Sequence, residues 1–118
     1  MTPPARLAAA AGILDEILAG RPAEQALTGW ARRSRFAGSK DRAAIRDLVF
    51  DALRCRRSFA ALGGGEETGR ALMLGWLRAR GEAPTAWMTG VRHALAPPGP
   101  AEVPAPELEE LEALDCPD

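Results

Sequence analysis

Tyrosine is absent from this chain of 118 residues, histidine occurs once and cysteine twice. Each shortage removes a class of chemistry. His93 has no nucleophile or ligand set near it in sequence, so neither a Ser-His-Asp nor a Cys-His arrangement assembles, and it reads as a surface residue. Cys55 and Cys116 are too few and too far apart for a disulfide framework or a cysteine zinc site, which points to a reduced, cytoplasmic setting. β-Branched residues are scarce beside alanine, leucine and arginine, a composition that favours helix over sheet. No run approaches the roughly 18 apolar residues of a membrane span. The opening tract is apolar, but Asp15 and Glu16 interrupt it and no clear cleavage site follows. It reads as a helix of the mature protein rather than a signal peptide, and no membrane partner is expected.

The net charge of −1 conceals a strong polarity along the chain. Residues 31–60 hold nine basic groups against Asp41, Asp47 and Asp51, a net +6. Residues 91–118 hold Arg92 against seven carboxylates, a net −6. The middle of the chain therefore meets partners as a basic protein and the end as an acidic one.

What is plentiful is helical periodicity. Thr2 is placed to cap a first helix that begins at Pro3 or Pro4 and ends by Gly20, with a stripe of Leu7, Ala10, Ala11, Leu14, Ile17 and Leu18. A short turn leads to a second helix with Pro22 in its first turn and Ala23, Ala26, Leu27, Trp30 and Ala31 on one face. Arg33 to Gly38 is a basic connector, which Phe36 is expected to anchor. Ser39 is then expected to cap one long helix running to Leu62, stopped by Gly63-Gly64-Gly65. Asp41 in its first turn suits the positive end of the helix dipole. A fourth helix, Glu67 to Arg80, carries Leu72, Met73, Trp76 and Leu77 and is apolar enough to be central. A shorter piece, Pro84 to Thr89, brings Trp87 and Met88. Trp30, Trp76 and Trp87 are expected to supply core volume. Five prolines between Pro97 and Pro106 mark a linker, and an acidic tail with Leu108, Leu111 and Leu114 follows. The expected organisation is an all-α bundle of about five helices over residues 1–94, then a proline-rich linker and tail over 95–118.

The glycine cluster after the third helix is not a phosphate loop: no strand precedes it, no Gly-Lys-Ser/Thr follows, and Glu66 and Glu67 would repel a phosphate. The segment Ser39 to Leu62 is the more telling one. At 100° per residue, Ile45, Leu48, Val49, Ala52, Leu53 and Phe59 share one face. Arg42, Arg46, Arg54 and Arg57 share an adjoining flank with Phe50 among them. A helix that buries one face and presents cations with an aromatic beside it suits an anionic polymer. RNA is the first candidate, with Arg32, Arg33 and Arg35 aiding in phosphate contact and Phe50 available for stacking.

The same residues resemble a known family. Asp41-Arg42, Ile45 and Leu48-Val49-Phe50-Asp51-Ala52-Leu53-Arg54 look like the central helix of NusB-like domains. They are most similar to the N-terminal domain of bacterial rRNA cytosine-5 methyltransferases of the Sun (RsmB, Fmu) type. Upstream, Leu14 and Ile17-Leu18, a short turn and Ala26-Leu27 fit the same pattern, so the resemblance spans roughly residues 5 to 90. The family usually carries Tyr-Gly where this chain has Phe50-Asp51. In the methyltransferases a Rossmann-like domain follows, with an S-adenosylmethionine site and two catalytic cysteines, one in a Pro-Cys setting. Cys116-Pro117 reverses that order, and its role is not transferred.

The resemblance implies a NusB-like fold and the RNA-binding head of a two-domain enzyme. That head would position structured rRNA for a methyltransferase domain in cis, which uses S-adenosylmethionine to methylate cytosine C5. The chain itself is then expected to hold no cofactor and to catalyse nothing. The alternative is a stand-alone NusB-like module that binds RNA with a protein partner, as antitermination factors do.

Overall fold

Thr2 opens the first helix as its position suggests. Its backbone is extended and its hydroxyl accepts from the Ala5 amide at 3.2 Å, which satisfies one of the amides that a helix start leaves unpaired. From there, a computed structural model describes residues 1–81, and these form an all-α bundle. Its helices are α1 (Pro3–Leu18), α2 (Ala23–Arg33), α3 (Ser39–Arg54), α4 (Arg56–Leu62) and α5 (Gly69–Ala79). The expected helix at 84–89, Trp87, His93, the domain limit at residue 94 and the linker and tail of 95–118 lie outside the described residues.

The core is built from the stripes the periodicity marks. Leu7, Ala10, Ala11 and Leu14 of α1 meet Ile45, Leu48, Val49 and Ala52 of α3 and Leu72, Met73 and Leu77 of α5. Ala26 and Leu27 attach α2 to the same cluster. Burying a side chain the size of leucine is worth about 1.5–3 kcal/mol relative to exposure, so this cluster is the main source of stability. Helix α5 is buried nearly all round, with Leu72, Met73, Leu74 and Leu77 shielded from solvent.

Three glycines let the helices approach backbone to backbone. A Cβ at Gly75 would fall within 2.5 Å of Phe59 C and Cα, one at Gly69 would collide with the Ala11 carbonyl, and one at Gly63 with that of Ala71. These contacts press α5 against α4 and α1. Asp15 of α1 adds an anchor, its Oδ1 accepting from the Gly69 amide at 2.8 Å. A carboxylate there also suits the positive end of α5.

The structure corrects the sequence reading at several places. The single helix expected from Ser39 to Leu62 is two, divided at Cys55 (φ −108°, ψ 33°). Neither proline nor glycine causes the break. Ser58 is buried and its hydroxyl donates at 3.2 Å to the Cys55 carbonyl, which also accepts from the Phe59 amide at 2.9 Å, so the first turn of α4 is fastened at the break by two donors. The redirected α4 can then bury Ala60 and lay the Phe59 carbonyl against Gly75. Tertiary packing decides the break.

The helix that begins at Ser39 is capped by Gly38 rather than by the serine hydroxyl. Asp41 provides the side-chain half of that cap, with Oδ2 accepting from the Gly38 amide at 3.1 Å. Trp30 and Trp76 are partly exposed and pack on the edge of the core rather than inside it.

Candidate nucleic-acid interface

The connector between α2 and α3 is a braced turn. The Ala37 amide donates to the Ser34 carbonyl at 3.0 Å, closing a four-residue turn with Arg35 and Phe36 at its tip. Ser34 and Ala37, the two ends, are buried. Phe36 is 76% exposed, which overturns its expected part as anchor. The reason is geometric: the middle positions of a turn point away from the body, and the small Ala37 fits beneath. Two residues of α3 hold the turn in place. Arg42 Nη1 donates to the Ala37 carbonyl at 2.8 Å, and Asp41 holds the Gly38 amide.

Asp41 is the junction of this region with α1. Arg6 Nε and Nη2 reach its Oδ1 at 2.9 and 2.8 Å, and the amino terminus lies 3.5 Å from Oδ2. The Arg6 hydrogen bond, the Gly38 amide and the positive charges beside it hold its carboxyl below the ordinary aspartate value of 3.8. A depressed folded-state value means that the contribution to stability is whole above 3.8 and lost as pH falls through the lower value. In acid titrations followed by circular dichroism, wild type should lose stability relative to Asp41→Asn below about pH 4. Parallel curves through the acid limb would show that Asp41 contributes no charge-dependent stability.

Along α3, the expected flank is present but partly engaged. Arg42, Arg46, Phe50 and Arg54 follow one another at four-residue intervals and are all exposed. The Arg46 guanidinium stands 5.0 Å from the centre of the Phe50 ring, a cation–π pair. It also binds Glu24 of α2 through both terminal nitrogens, at 2.5 and 3.1 Å. That pairing lowers the Glu24 carboxyl and raises the Arg46 guanidinium, the hydrogen bond being the larger cause in each. Arg54 pairs with Asp51 at 2.5 Å, and Arg33 lies 3.6 Å from Glu16. Arg57 belongs to α4, beyond the break at Cys55, and so does not continue the row along α3. Arg32, Arg35 and Lys40 are exposed and have no ion pair among the described residues.

Between α2 and α3 runs an open cleft lined by Leu27, Trp30, Ala31, Ile45, Arg42 and Arg46. Its floor is apolar and its rim cationic. The arrangement suits a polyanion with planar groups. Among the described residues no group of three or more His, Cys, Asp or Glu is placed to hold a metal ion, and no helix is long and apolar enough to cross a membrane.

Sequence reasoning missed Phe36 as a surface residue and Lys40 as an exposed cation, without an ion pair among the described residues, in the same segment. A signal for the first existed: an aromatic between Arg35 and Ala37-Gly38, in a segment without helical period, has no apolar stripe to join. The partners of Arg46 and Arg6, 22 and 35 residues away, had none. No protein-family model matches the chain, and neither does a curated protein or a solved structure.

Proposed function

We propose that this bundle binds structured RNA, rRNA in the first instance, and orients it for a methyltransferase domain of the same polypeptide. The observation that supports the binding is the row of exposed cations from the end of α2 through the connector and along α3, in which Arg32, Arg35 and Lys40 have no carboxylate partner among the described residues. Free guanidinium and ammonium groups release condensed counterions when they meet phosphates, whereas Arg46 and Arg54 must first give up Glu24 and Asp51. The first contact accordingly belongs to the connector, and the α3 flank with Phe50 serves as the second. Recognition is of shape and backbone, with the cleft between α2 and α3 available to a group that leaves the helix stack.

The methyl-transfer part of the proposal, with S-adenosylmethionine as cofactor and cytosine C5 as acceptor, rests on the resemblance carried by Asp41-Arg42 and Leu48 to Arg54. In that motif Asp41 and Arg42 have structural work of their own here, one joining α1 to α3 and the other bracing the turn. Binding of a folded small-subunit rRNA fragment, measured by fluorescence anisotropy across a salt series, tests the RNA reading. Affinity should fall linearly on a log–log plot as salt rises. An absence of binding at low salt, or affinity indifferent to salt, would remove RNA as the ligand of this face.

A further inference from the structure

Phe36 is the most exposed of the large apolar side chains of the described residues, at 76%. Arg32 before it and Lys40 after it are also exposed, and Arg35 shares the tip of the turn. A solitary apolar residue on a surface is ordinary. This one differs in being held. The Ala37–Ser34 hydrogen bond closes the turn, Arg42 ties the Ala37 carbonyl and Asp41 ties the Gly38 amide. Ser34 and Ala37, on either side of the tip, are buried. The ring therefore projects from a rigid platform and loses little freedom when something covers it.

We infer that Phe36 is a stacking platform for an unpaired RNA base, with Arg32, Arg35 and Lys40 holding the phosphates on either side of it. The inference rests on the proposed function and deepens it by naming single-stranded nucleotides, in a loop or bulge, as the element recognised at the connector. Three features agree. A flat π-face accepts any base, cations without ion-pair partners among the described residues suit the adjoining phosphates, and a fixed turn presents both together. Bases within a duplex are stacked on one another and are closed to such a platform, so the connector distinguishes loops from stems.

The test uses the full chain with two RNA probes, a stem carrying an open, uridine-rich loop and the same stem as a blunt duplex. Phe36→Ala should weaken binding of the looped probe by about tenfold, the scale of one base–aromatic stack, and leave the duplex unchanged. Phe36→Trp should restore loop binding, and its indole emission should be quenched as the loop is added. Because the side chain is exposed, neither substitution disturbs the core. Equal loss for both probes, or none for the looped one, overturns the platform while the RNA reading stands on the duplex result. Failure of wild type to bind either probe overturns both. Concentration-dependent self-association that Phe36→Ala abolishes would assign the ring to a contact between copies and overturn the platform as well.

Discussion

Replacing Gly75 with alanine is expected to cost the fold at least about 3 kcal/mol, the upper part of the range for overpacking a well-filled core. The added carbon would stand within 2.5 Å of Phe59 C and Cα, and backbone, unlike the end of a flexible side chain, has little room to withdraw. Domains of this size hold only about 5–15 kcal/mol in total, so urea and thermal melts should register the change at once, the latter as a fall of well over roughly 10 °C. Gly12→Ala is the matched control. Gly12 lies in the middle of α1 with nothing within 4 Å of an added Cβ, so the same substitution there should stabilise by about 0.5–1 kcal/mol through helix propensity alone. Opposite signs would show that backbone contact between α4 and α5, and not glycine's flexibility, sets the cost. A stabilised Gly75→Ala would mean that the two helices do not meet as described.

The second large effect concerns the cations. Arg32→Gln with Arg35→Gln should weaken binding of the rRNA fragment substantially and lower the slope of log affinity against log salt by about two, one for each phosphate deprived of its cation. Arg46→Gln with Arg54→Gln removes the same formal charge but should reduce the slope less, because both residues already face carboxylates, Glu24 and Asp51. Long-range attraction changes alike in the two double variants, so the comparison isolates direct contact from net charge. Equal reductions would return the interface to a diffuse positive field, and a larger reduction in the second pair would move the primary contact onto α3.

Much of the bundle is legible in the sequence alone. The cap at Thr2 and the Leu7, Ala10, Ala11 and Leu14 part of the α1 stripe lie as the spacing implies, because a helix start and a 3.6-residue repeat are local properties, while Ile13, outside the expected stripe, is buried and Ile17 and Leu18 are only partly so. The glycine stop after Leu62 and the burial of α5 follow for the same reason, with Gly64 and Gly65 taking the positive φ that the turn requires. The break at Cys55 is not legible. A hydrophobic repeat records which face is apolar, not where a neighbouring backbone demands that the helix change direction. Phe36 is legible only by exclusion, because a short connector has no period and so offers its ring no apolar stripe to join. The row of arginines on α3 is visible, whereas the pairing of Arg46 with Glu24 depends on how α2 and α3 are set against each other. Arg42, expected as a phosphate contact, also braces the turn through the Ala37 carbonyl, a part no motif announces.

The close approaches at Gly63, Gly69 and Gly75 also limit how the bundle can move. Switching proteins often respond to a ligand by sliding one helix past another, in the larger cases by a full turn of about 5.4 Å. Such a slide of α5 would bring side chains such as Leu72 or Met73 to stations where α1 and α4 admit no carbon beyond Cα. The helix is keyed at intervals along its length, and the ratchet is blocked in both directions. A ligand gripped at the far side of the molecule therefore meets a body that tilts or travels whole, and any signal it sends is carried as orientation rather than as internal rearrangement.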